Sequence, residues 1–136
     1  MNPYRKPLTM LFRLFGVTLV VLGVIIWTGH GANLVQLHML VGVLFTATYL
    51  AIVALAARSG LSLGPSLFAL GWGFLLPIFG MAQSRLVLGE WHWTIRVVHL
   101  LIGMAAMGIA DRLVKHSAII DARRAAGAEG REPTTA

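Results

Sequence analysis

The chain has 136 residues, 57% of them hydrophobic and 12% charged, with a net charge of +6 and no Cys. That composition is too apolar for an ordinary soluble domain. The lack of Cys excludes disulfides, thiolate metal ligands, iron–sulfur clusters and covalent c-type haem attachment.

Four apolar runs follow one another. The first covers about 10–29. Basic residues precede it, but its end, Trp27-Thr28-Gly29-His30, has no small-x-small cleavage site. Three more runs follow, so a retained helix is expected rather than a cleaved signal peptide. Arg13, one turn in, is placed to snorkel to the head groups. The second run covers about 33–57, and from Gly31 to Ala57 there is no Asp, Glu, Lys or Arg. The third, about 65–88, opens at Gly64-Pro65, where a first-turn Pro sacrifices no hydrogen bond. Pro77 lies inside it and predicts a kink near Gly73 to Pro77. The fourth covers about 91–113. Each can cross a hydrocarbon core of ~30 Å, which needs ~20 residues. The expected fold is an all-α, integral membrane, up-down-up-down four-helix bundle in residues 1–116. Residues 117–136 read as a cytoplasmic tail, a helical extension fraying into disorder.

Lys and Arg set the orientation. Arg5, Lys6 and Arg13 lie at the start, Arg58 between the second and third runs, and Arg112, Lys115, Arg123, Arg124 and Arg131 after the fourth. All nine fall on one side of a four-span topology. The opposite loops, near Gly29 to Asn33 and Gly89 to Trp91, hold neither Lys nor Arg. Arg85 and Arg96 sit within helix ends near that side. Both termini are therefore expected in the cytoplasm of a cell with a bacterial-type inner membrane, and the basic excess reads as a topology signal, not a nucleic-acid site. Trp27, Trp91 and Trp93 gather at the outer interface, as an aromatic belt does.

Two short segments repeat a pattern: Leu37-His38-Met39-Leu40-Val41-Gly42 and Val98-His99-Leu100-Leu101-Ile102-Gly103. Each places a His inside an apolar run with a Gly one helical turn further on. A His in lipid is costly without a partner and is by default a functional-site hypothesis. The second and fourth runs are parallel, and as diagonal partners they leave a gap wide enough for a planar macrocycle. Gly42 and Gly103 leave room for its edge. The structural alternative is that each His bonds a neighbouring carbonyl or hydroxyl, and that the glycines only let helices approach. Matching local sequence at similar depth on parallel helices favours a shared ligand. Each Nδ1–H then needs an acceptor, and the carbonyls one turn earlier, Leu34 and Ile95, are the candidates. His30 and His92 lie at the outer ends of the first and fourth runs and form an alternative or second site. His116 falls in the basic tail and reads as a solvated surface residue.

These residues resemble those of small b-type membrane cytochromes, four-helix bundles that hold a bis-His haem in their interior. The resemblance covers the four spans and rests on His38, Gly42, His99 and Gly103. It implies one haem b with His38 and His99 as axial ligands, Gly42 and Gly103 against the macrocycle, and electron exchange with quinol or other membrane redox subunits. Many such proteins carry a second haem near the other face. This chain departs from them, since no His lies in the inner half of any span. Arg96, one turn from His99 and nearer the outer surface, is placed to pair with a haem propionate, and Arg85 could do the same. The resemblance implies an electron carrier or complex subunit in the lipid bilayer, alone or as a homo-oligomer, rather than a self-sufficient enzyme.

Other readings are weighed on the same residues. A small multidrug exporter needs a coupling carboxylate in the membrane interior, and from Leu14 to Ile109 the only acid is Glu90, in a loop. A Zn or Cu site would require His30, His38, His92 and His99 to converge. In a structural assembly subunit the His would be packing residues. No nucleophile–base pair or phosphate loop points to a hydrolase. Asp111 beside Arg112 reads as a charge pair, Gly16 and Gly23 as close-packing positions, and Thr46, Thr48 and Tyr49 as interhelical hydrogen-bonders.

Overall fold

The computed structural model describes residues 4–87 and 89–129. The four apolar runs become four helices: Arg5–Trp27 (α1), Val35–Arg58 (α2), Leu63–Ala82 (α3) and His92–Glu129 (α4). Short 3-10 turns at Ala32–Leu34 and Gln83–Arg85 lead into α2 and out of α3, and no strand occurs among the described residues. All four helices are long and apolar enough to cross a membrane.

Local chemistry explains where the first two helices stop. After α1, Gly29 takes φ +82°, and the His30 and Gly29 N–H groups bond back to the Ile25 and Ile26 carbonyls. After α2, Gly60 takes φ +92°, and Leu61 and Gly60 bond back to Ala56 and Ala57. Both are Schellman ends, in which a left-handed Gly lets the chain satisfy the last carbonyls and turn away.

The bundle is held from the inside by α2. Its buried residues Val41, Phe45, Tyr49, Ile52, Val53 and Ala56 form one helical face. They pack with Phe12 of α1, Ala69 and Leu76 of α3, and Ala106, Ala110 and Leu113 of α4. The outward side is the reverse of a soluble protein's. Val43, Phe68 and Leu101 are 62%, 60% and 57% exposed, which suits lipid and not water.

Three features differ from expectation. The expected gap between α2 and α4 is not general: these helices touch, whereas α1 and α3 do not meet. The small Ala106 and Ala110 on α4 share one buried core with Phe45 and Tyr49 of α2, which suits a close approach of the two helices. The third helix gives way to its 3-10 turn after Ala82, short of the expected 88. The fourth does not end near 113 but continues to Glu129 without a break. The extension is anchored, because Ser117 is buried and Asp121 pairs with Arg5 at 2.6 Å. The disorder expected at the chain's end concerns 130–136, outside the described residues.

Candidate functional site

His38 enters from the first turn of α2 and His99 from the third turn of α4. The structure brings the two together: their ring centroids are 6.3 Å apart, with an angle of 52° between planes. Both are half-buried, and the Nδ1 atom of each is buried without a hydrogen-bond partner. The expected Nδ1–H bonds to Leu34 and Ile95 are therefore absent. Those carbonyls lie one turn back along each ring's own chain segment, and the rings instead lean towards the neighbouring helices α1 and α3.

The leaning is made possible by two glycines. A Cβ at Gly23 of α1 would stand 3.6 Å from His38 Cε1, and a Cβ at Gly80 of α3 would stand 3.3 Å from His99 Cε1. Phe79, next to Gly80, lies parallel to the His99 ring, with centroids 6.1 Å apart and 10° between planes. Sequence reasoning placed Gly23 among packing positions and missed Gly80 and Phe79. A signal for Gly80 was present, since the seven-residue spacing of Gly16 and Gly23 recurs as Gly73 and Gly80. The lower member of each pair packs on the core below. Gly16 lies against Met107 and Phe45, and Gly73 against Tyr49 and Leu50. Nothing in the sequence marks Phe79.

Gly42 and Gly103 do not serve helix packing. A Cβ at Gly42 would meet only Leu19, at 4.0 Å, and one at Gly103 would meet nothing within 4 Å. Neither position is closed off by a neighbouring helix.

The remaining candidates stay apart. His30 is exposed, its Nδ1 3.3 Å from Thr28 Oγ1. His92 Nδ1 lies 3.2 Å from the Leu86 carbonyl and donates to it in the matching tautomer. No three His or acidic residues gather into a metal-holding group among the described residues, so His30, His38, His92 and His99 do not converge. Arg85 and Arg96 are exposed and form no ion pair among the described residues. His116 is exposed, as expected.

Three other expectations are corrected. Asp111 pairs with Arg13 of α1 at 2.9 Å, not with Arg112, because on a helix successive residues point apart. Arg13 thus has a protein partner instead of snorkelling alone. Thr48 bonds the Leu44 and Phe45 carbonyls of its own helix, and the Tyr49 hydroxyl is buried with no partner, so neither joins two helices by hydrogen bonds.

Two imidazoles that ligate one metal have a predictable spacing. A metal–imidazole bond is about 2.0–2.1 Å, the value for zinc, and the nitrogen lies about 1.1 Å from the ring centre, so opposed rings have centroids about 6 Å apart. The His38–His99 pair meets that spacing. That spacing, with bare backbone at Gly42 and Gly103, suits a group ligated from both sides through Nε2, which would leave each Nδ1 still without an acceptor. No protein-family model, curated protein or solved structure matches the chain.

Proposed function

We propose that this chain is a haem b electron-transfer protein, or the haem-bearing subunit of a respiratory or photosynthetic complex, in a bacterial-type cytoplasmic membrane. Its helices run up-down-up-down with both termini on the cytoplasmic side. His38 and His99 are the axial ligands, in the outer half of the bundle. The observation that carries the reading is the 6.3 Å separation of two imidazoles drawn from different helices.

Each residue has a role in holding the group. His38 and His99 ligate through Nε2. Gly42 and Gly103, with no side chain, would leave bare backbone beside the group. Arg96, and with it Arg85, supplies positive charge at the outer end for the anionic propionates. When bound, the group would supply one-electron chemistry. The His layer lies four residues from the outer end of α1 at Trp27, about 6 Å, so electrons exchange at the outer face. Quinol or a neighbouring membrane redox subunit is the donor or acceptor, and a second copy of the chain is a further possible neighbour in the bilayer.

The test is spectroscopic. Protein purified in detergent after expression with haem supply should show a Soret band and sharp α and β bands on dithionite reduction. His38→Ala and His99→Ala should each abolish the low-spin spectrum, and His30→Ala and His92→Ala should keep it. A colourless protein with stoichiometric Zn or Cu would replace haem with a metal site. A colourless, metal-free protein would leave the two His as packing residues.

A further inference from the structure

The two His of the pair are not held alike. His99 is confined on two sides by consecutive residues of α3. Phe79 lies parallel to its plane at 10°, and Gly80 brings the α3 backbone against its Cε1 edge, at 3.3 Å from the position of a Cβ. Turning the imidazole about its Cβ–Cγ bond would break its parallel alignment with Phe79, and sliding it towards α3 would drive its edge into Gly80. His38 has only the looser seat on Gly23, at 3.6 Å, which is ordinary van der Waals contact. No aromatic ring other than His99 is found against it among the described residues. Neither ring is tied by a hydrogen bond at Nδ1, so packing alone fixes their planes.

We propose that Phe79 and Gly80 are positioning residues that fix the plane of the His99 imidazole, while His38 is an adjustable partner. The site is then built as one fixed and one compliant ring. This rests on the bis-His haem reading for its consequence, because the angle between two axial imidazole planes sets the splitting of the ferric low-spin EPR signal. The contact itself does not depend on haem.

Two measurements separate these layers. In the haem-loaded protein, Gly80→Ala pushes a methyl into a contact that must yield by a few tenths of an ångström. It should shift the largest g value while the haem stays low-spin, and Phe79→Leu should broaden the signal by releasing the plane. Gly23→Ala, at an ordinary contact distance, should shift the largest g value less than Gly80→Ala does. In the haem-free protein in micelles, carrying ¹³C-labelled His, Phe79→Leu and Gly80→Ala should each move the His99 Cε1–H resonance and leave that of His38 in place. Equal response of both His to Gly80→Ala and Gly23→Ala, or no response of His99 to either α3 change, would overturn the proposal. If the parent chain takes up no haem but the micelle spectra respond as stated, the haem reading fails and the positioning of His99 stands.

Discussion

Arg5 and Asp121, 116 positions apart in the chain, are joined by a hydrogen-bonded ion pair of 2.6 Å, and Arg5 also reaches Ser59 Oγ at 3.3 Å. The first turn of α1, the end of α2 and the extension of α4 thus meet at one point. With Arg13–Asp111 at 2.9 Å, a second ion pair joins α1 to α4.

The Arg5 pair predicts a pH dependence. The hydrogen bond from Arg5 is the main influence that holds the Asp121 carboxyl below its ordinary value of 3.8. The unfolded chain therefore binds this proton at higher pH than the folded chain does. The stabilisation is fully present above the ordinary value and is lost as pH falls through the depressed one. Thermal unfolding in detergent should show a Tm that drops on acidification below about pH 4, and Asp121→Asn should flatten that drop. Parallel curves for the two proteins would show that the pair contributes nothing.

Tyr49 is fully buried, and its hydroxyl has no partner. A buried unsatisfied hydroxyl costs about 1–3 kcal/mol. Tyr49→Phe keeps the ring against Phe12 and Gly73 and removes that cost. The variant should unfold at the same temperature as the parent or a higher one. A clear loss of stability would mean that the hydroxyl is bonded in the membrane.

Gly42→Ala and Gly103→Ala separate folding from cofactor binding. Each methyl would enter open space, and Ala gains about 0.5–1 kcal/mol over Gly inside a helix. The haem-free variants should match or exceed the parent in stability. Overpacking against a bound group costs about 1–3 kcal/mol, which is roughly 5- to 150-fold in affinity. Haem titration and thermal melts measured side by side test the split. Unchanged haem affinity in both variants would remove these glycines from the site.

Arg96 is exposed, three residues before His99 on α4. A positive charge near the haem favours the reduced, more anionic form, so Arg96→Gln should lower the midpoint potential with haem content unchanged. An unaltered potential in a redox titration would assign Arg96 to the lipid head groups.

The topology is open to a direct test. Reporter fusions at Ser59 and after the α4 extension should both report the cytoplasm. A periplasmic signal from either would reverse the orientation and move the His layer to the inner leaflet.

Much of this architecture is legible in the sequence because it depends on local properties. Apolar runs of spanning length became helices, and Gly29 and Gly60 ended two of them. The repeated His motif named the two rings that meet. The details that escaped depend on helix rotation and on which helix faces which. Asp111 chose Arg13 across the bundle over its neighbour in sequence. Phe79 is one of many Phe residues until α3 turns it towards His99. Tyr49 has the composition of a hydrogen-bonder, but its position among Gly73, Phe12 and the alanines of α4 leaves it none. The length of α4 was hidden because Ala, Arg and Ile after residue 117 suit both a tail and a helix, and only the buried Ser117 and the Arg5 contact decide between them.

The unbroken α4 makes His99 and Asp121 parts of one rod. They are 22 residues apart on it, about 33 Å at 1.5 Å per residue. A tilt of about 5° about the His layer would sweep the far end through about 3 Å, enough to pull a hydrogen bond beyond its working range. The Arg5–Asp121 clasp therefore steadies the spacing of two imidazoles that lie most of a membrane thickness away. Releasing it gives one end of the bundle a lever on the other.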